Sequence, residues 1–269
     1  MRLYIMAMYK IKEVFIYSDY PSNSLSIPHI ADYLEYYGLS THNRENFFDF
    51  VDLNKEAALE LARKIAASRV LDISTPIDEI PEPIYGEIGV ELKRLKGEAS
   101  LQGVLYDGLW LQRILHKIMA EKFPDEIGRG FIHVIFTSRL FVTFEKRRYH
   151  ARVVLTGLPA LISTSGIVEA PAKPKEYYWL KAGFARSGKD TRELDIMYEG
   201  KFIEYDDPRI TEILRAYTLQ AIFYELIGDP FCINPKCCLF NSHWQEEVLN
   251  TQLEGKLCDE HRKILQSTN

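Results

Sequence analysis

The chain has 269 residues, of which 46% are hydrophobic and 26% charged, with a formal net charge of −5 and a pI near 5.9. That apolar content excludes a disordered chain, and the acidic balance excludes a broad basic field for nucleic acid or anionic lipid. No window reaches the roughly 18 uninterrupted apolar residues of a transmembrane helix, so no membrane contact is expected. Lys10, Lys12 and Glu13 break the apolar opening before a signal-peptide core can form, which makes the cytoplasm the expected compartment.

The N-terminal stretch predicts alternating strand and helix. KEVFIYSD is a compact apolar run and PSNSLS a turn with a helix cap. Ile30, Leu34 and Tyr37 then recur at helical spacing in a helix that closes on Gly38. LSTHNRENFFDFV predicts a second strand, and Asn54 is placed to cap a helix over KEAALELARKIAASRVL. STPIDEIPEPIYG, with three prolines, predicts a loop before a short polar helix at VELKRLKG.

A long amphipathic helix is predicted from Gln102 to Phe123, with Leu105, Leu109, Leu111, Ile114, Leu115 and Ile118 as its apolar positions. Two strand-like runs follow, FIHVIFTSRLFVTF and YHARVVLTGLPALIST, joined by the charged turn EKRRY. After EAPAKPKEYY a further strand pair is predicted, including DIMYEGKFIEY, with GFARSGKD as a loop between strands. Asp206, Asp207 and Pro208 then open a helix that ends at Gly228, a candidate C-cap.

All four cysteines fall between residues 232 and 258. Cys232 and Cys237 flank a turn containing Asn234 and Pro235, a gap that can wrap two sulfurs onto one ion at about 2.3 Å each. Cys258 and His261 form a Cys-x-x-His pair about twenty residues later. Together they make a Cys3His set suited to one closed, tetrahedral structural Zn²⁺, and soft thiolates argue against Mg²⁺ or Ca²⁺. Buried free thiols are the alternative, and a disulfide is disfavoured in a reducing compartment. Cys238 is spare: it could replace Cys237 as ligand or pack in the core behind it. His243 could likewise substitute as a ligand or sit at the surface or beside the ligands.

This segment resembles the C-terminal zinc region of the archaemetzincins. Their pattern runs HExxHxxGxxHC, four residues, Cys, then Met one residue on, with a final Cys-x-x-Cys about 18 residues later. The corresponding ladder here is Cys232, Cys237, Leu239, Cys258 and His261, and FNSHWQEEV resembles the polar stretch after the family's Met. Upstream, LQGVLYDGLWLQRIL is similar to the family's early helix and LTGLPALISTSG to its edge strand. The resemblance covers Gln102 to Leu265, with residues 13 to 48 fitting the start of the same fold. It implies an α/β architecture with a metzincin-like mixed sheet packed with helices and a zinc-stapled C-terminal segment. On this basis residues 1–269 form one domain with an insertion near 50–100, and residues 229–269 a structural zinc subdomain.

The catalytic part of the pattern departs. The motif falls on residues 221 to 232, with Ala221 and Phe231 at the first and third His positions. Ile222 takes the place of the general-base Glu and Glu225 that of the second His, while Gly228 and Cys232 match. A hydrolytic zinc needs imidazoles one helical turn apart and a carboxylate to take the proton from bound water. Ala221, Ile222 and Phe231 supply neither. Expected, therefore, is a non-catalytic relative that keeps a structural zinc and binds a peptide or protein partner, along a cleft beside residues 160 to 166. The alternative is a metallopeptidase or hydrolase with relocated ligands, drawn from His133, His150, His243 and Glu225.

Other motifs carry less. GFARSGKD approaches the phosphate loop GxxxxGK(S/T), but Asp190 stands at the hydroxyl position and would repel phosphate. IleSerThrSerGly at 162–166 has no His-Asp partner that can be placed and predicts a strand end with turn residues. The basic KRRYH at 146–150 fits a charged hairpin turn, and His116 and His133 sit in apolar runs as core histidines. A nucleic-acid-binding zinc module is disfavoured, since residues 229–269 hold four Lys/Arg against six Asp/Glu.

Overall fold

The computed structural model describes residues 10–20, 22–78, 81–99, 102–190 and 192–267. The opening residues 1–9, whose composition bears on the signal-peptide expectation, lie outside them. In chain order the elements are β1 (Glu13–Ser18), α1 (Ile27–Tyr36), β2 (Thr41–Asn46), α2 (Phe47–Phe50), α3 (Lys55–Ala67), α4 (Tyr85–Leu95), β3 (Leu105–Asp107) and α5 (Gly108–Lys122). They continue with β4 (Phe131–Thr137), β5 (Leu140–Glu145), β6 (Arg148–Ala151), β7 (Val154–Leu155), β8 (Ala160–Ser163), α6 (Thr164–Glu169), α7 (Lys175–Ser187) and α8 (Arg192–Met197). The last three are α9 (Ile210–Ile227), α10 (Gln245–Thr251) and α11 (Asp259–Ser267).

The main sheet is five-stranded and mixed, in the order β2-β1-β4-β8-β7. Its first four strands are parallel, and β7 runs antiparallel to β8 at the edge. A smaller sheet has the order β3-β5-β6. Strand residues alternate between the two faces, as the period of two requires. Val14, Ile16, Val134 and Ile162 join α1 and α9 in one core, while Phe15, Tyr17, Ile135 and Leu161 join α3 and α5 in the other. The mixed α/β architecture is as expected.

Several elements differ from expectation. The LSTHNRENFFDFV run is strand only to Asn46, whose side chain caps α2 by accepting from the amides of Phe48 and Asp49. The helix predicted from Gln102 starts at Gly108, because Asp107 accepts from the amides of Leu109 and Trp110. Leu105 belongs instead to β3, paired with β5. FIHVIFTSRLFVTF turns at Ser138 and divides between the two sheets. The strand pair predicted after residue 178 is helical: α7 and α8 occupy most of it, with Gly188 a left-handed C-cap at φ 66°. Only Tyr177 of α7 has a buried side chain, so helix-favouring Lys, Leu and Ala outweigh its aromatic content.

Described residues between 50 and 100 are packed into the second core through Leu61, Ile65, Ile88 and Leu95. They also join a buried ionic cluster at the ends of β1 and β4. Arg139 donates to Asp19 at 2.5 Å and to Glu91 of α4 at 3.0 Å. Glu91 further accepts from Tyr106 and Arg69, and Tyr106 accepts from Arg94. Burial pushes Glu91 up, but Arg139 and Arg94 outweigh it and hold its carboxyl below the ordinary range.

His133 on β4 is a satisfied core histidine. Its Nε2–H donates to the Glu126 carbonyl at 3.1 Å, and its Nδ1 accepts from the Tyr17 hydroxyl at 3.1 Å, which itself accepts from Arg44. Burial lowers its pKa to about 4 from the usual 6.5. The unfolded chain therefore takes up this proton first, so the contribution is complete above pH 6.5 and is lost as pH falls through 4. The expected loss is about 3 kcal/mol. Urea unfolding at pH 7 and 4 measures it, and His133→Gln should flatten the decline. An equal decline in the variant would remove the assignment.

Candidate metal centre and cleft

α9 is buried over most of its circumference and ends at Gly228, whose left-handed φ of 72° turns the chain out of the helix. The amide of Phe231 is then held by Asp229, and the Cys232 amide donates to the Leu239 carbonyl at 3.0 Å. Between them the Asn234–Pro235 turn closes through the Cys237 amide on the Asn234 carbonyl, 3.0 Å, as the spacing predicts. The Cys238 amide reaches the Lys256 carbonyl at 2.8 Å, which draws the second half of the ladder alongside the first. Cys258 immediately precedes α11, and His261 lies in that helix's first turn.

These contacts bring one donor atom each from Cys232, Cys237, Cys258 and His261 within 4.8 Å of one another. Donors bound tetrahedrally at about 2.0–2.3 Å from one ion lie roughly 3.5–4 Å apart, so the group is dimensioned for a zinc ion. The amides of Asn234 and Cys258 donate to Cys232 and Cys237 sulfur at 3.4 Å, as thiolates require. Cys258 sulfur and His261 Nδ1 are 3.0 Å apart, and the imidazole rests edge-on against Phe223 of α9. Cys237 is held down to about 3, chiefly by a hydrogen bond from Cys238 and further by His261. His261 is raised to about 9, chiefly by Cys237. Burial pushes Cys232 up to about 12, a cost that a cation at the centre of the group would reverse.

Cys238 packs in the core behind the four donors. Its side chain is fully buried and donates to Cys237 from behind the group instead of joining it. His243 is exposed and stands apart from the four.

The positions aligned with the catalytic motif stand in different surroundings. Ala221 and Ile222 are buried in the first core. Glu225 lines a separate cavity of about 150 Å³ with Arg129 and Ile132, and burial raises its pKa. The candidate relocated ligands are dispersed. His133 is in the core, His150 bonds to the Glu145 carbonyl, and His243 and Glu225 face different cavities.

A cleft of about 330 Å³ lies between β7, α9 and residues 230–243. It runs along residues 151–156 at the sheet edge, where β7 is outermost and β8 is interior, paired on both sides, while beside the expected residues 160–166 a smaller cavity of about 120 Å³ is lined by Ser138, Thr164 and Ser165. Gly166 instead allows a close approach, because a Cβ there would meet the Arg152 carbonyl at 2.4 Å. Tyr217 and Gln220 of α9 line the cleft with Phe231 and His243. Sequence reasoning missed the first two. The available signal was Gln220, a lone amide inside the apolar run LQAIF.

A family model described as the Probable metallopeptidase family (DUF6775) matches residues 10–268. A zinc-dependent peptidase from Methanocorpusculum labreanum is similar in structure, at 12% identity and a TM-score of 0.47, over 94% of this chain and 100% of that one. Archaemetzincin from Methanopyrus kandleri is similar at 9% identity and a TM-score of 0.41, over 96% and 95%. No curated protein matches the chain. No helix among the described residues is long and apolar enough to cross a membrane.

Proposed function

The chain belongs to this metallopeptidase family, and we propose that it is a non-hydrolytic member, in which one structural Zn²⁺ staples the C-terminal segment and the cleft binds a peptide without cutting it. The observation that carries the reading is the four-donor group itself. Three thiolates and an imidazole within 4.8 Å complete a tetrahedral shell and leave no position for a reactive water. The ion would act as a cross-link between the turn after α9 and the start of α11.

Support for the non-hydrolytic half comes from α9. Apolar Ala221 and Ile222 cannot ligate or accept a proton, and Phe231 presents only a ring to the cleft. Glu225 faces another cavity. A peptide is the natural occupant, since the free edge of β7 can pair with an extended segment. Three thiol ligands also need protection from oxidation, which favours a reducing compartment such as the cytoplasm.

Elemental analysis of the purified chain should give one zinc per molecule, with no cleavage of a mixed peptide library above a buffer control. A second tightly held ion would overturn the reading, as would cleavage abolished by Glu225→Gln or His243→Ala.

A further inference from the structure

Two residues of α9 that line the cleft each carry a polar atom with no partner among the described residues. Gln220 is 1% exposed, and its Nε2 makes one long bond to the Phe240 carbonyl at 3.4 Å. Its Oε1 has no partner among the described residues. Tyr217, one turn earlier on the same face, is buried and its hydroxyl is also unpaired among them. A buried amide oxygen left unpaired keeps its full desolvation cost until a donor arrives.

Across the cleft, the Val153 carbonyl accepts from the Ser163 amide at 2.8 Å, which makes Val153–Ser163 a hydrogen-bonded pair. In an antiparallel ladder the next pair is of the opposite kind, so Val154 turns its own N–H and carbonyl outward, away from β8. The cleft thus offers backbone pairing on one wall and an unpaired acceptor beside a hydroxyl on the other.

Resting on the peptide-binding reading of this cleft, we propose that its ligand is an extended peptide segment carrying an asparagine or glutamine, whose side-chain amide pairs with Gln220 and Tyr217 while its backbone pairs with Val154. The amide N–H donates to Gln220 Oε1 and its carbonyl accepts from the Tyr217 hydroxyl. A lysine is opposed because no carboxylate among the described residues lines the cleft, whereas Arg152 does. A carboxylate would set its oxygens against Gln220 Oε1. An apolar side chain would leave that oxygen unpaired.

The test is a positional library of N-acetylated, C-amidated decapeptides screened against the zinc-loaded full chain, with bound peptides checked by mass for cleavage. Asn and Gln should be preferred at one position by at least about tenfold over Leu and Met. Gln220→Met keeps the shape, removes the acceptor and should cut that preference below about threefold while Leu-bearing peptides still bind. Tyr217→Phe should reduce it to a lesser degree. Val154→Pro, tolerated where the N–H points outward from an edge, should weaken every peptide. No binding, no amide preference, or an unchanged preference in both α9 variants would overturn the proposal. Cleaved peptides would overturn the non-hydrolytic reading instead, and the selectivity would still be readable from the cleavage products.

Discussion

Stripping the metal with a chelator is expected to release one zinc per chain and to lower the melting temperature by more than about 10 °C. Between Gly228 and α11 the chain has one seven-residue helix and otherwise turns, so little regular backbone pairing holds it. Its buried residues, Cys237, Leu239, Val248 and Leu257, nonetheless complete the core that α9 shares with the main sheet. Structural zinc sites contribute about 10–16 kcal/mol in small peptides, comparable with the whole stability of a domain. The effect here is expected to be smaller than that, because the thiols also pack against α9. Cys258→Ser should reproduce it, whereas Cys238→Ala should keep the metal, since Cys238 stands behind the ligand group. Calorimetry and limited proteolysis after Phe231 measure both. A stripped protein with an unchanged melting temperature would show that the four side chains are packing residues.

Arg139→Met is expected to destabilise the fold by about 3–5 kcal/mol without touching the metal or the cleft. The guanidinium is almost fully buried and is the charge shared by Asp19 and Glu91, which are themselves buried. Removing it leaves Asp19 without its cation, with Thr137 and the Ser138 amide as its remaining donors among the described residues. Glu91 keeps Arg69 and Tyr106, so the larger part of the loss falls on Asp19. Adding Asp19→Asn should recover part of the stability, because a neutral amide needs no counter-charge. Urea denaturation of the single and double variants gives the answer, and a loss under about 1 kcal/mol would mean that water reaches the cluster.

The local chemistry of the chain was readable from its residues. The Asn54 cap, the αL stop at Gly228 and the turn at Asn234–Pro235 depend on a few neighbouring side chains, and each forms where its signal stands. The Cys3His group could be proposed for the same reason: a pair of ligands across a tight turn and a second pair one helical turn apart are both local spacings. Element boundaries that hinge on competition were less legible. Asp107 as a cap outweighs the apolar periodicity that would begin α5 earlier, and in α7 the helix-favouring Lys, Leu and Ala outweigh the aromatic residues that suggest a strand.

Which strand forms the edge, which face of α9 meets the cleft and which acids share Arg139 were decided by the tertiary structure alone. Asp19 and Arg139 lie 120 residues apart in the chain, and nothing in either neighbourhood specifies the other. The same holds for Gln220. As a sequence position it is one amide in an apolar helix; only the packing of α9 against β7 and residues 230–243 makes it part of a cleft wall. Periodicity fixes which residues share a face, but the rotation of that face depends on the summed packing of elements distant along the chain.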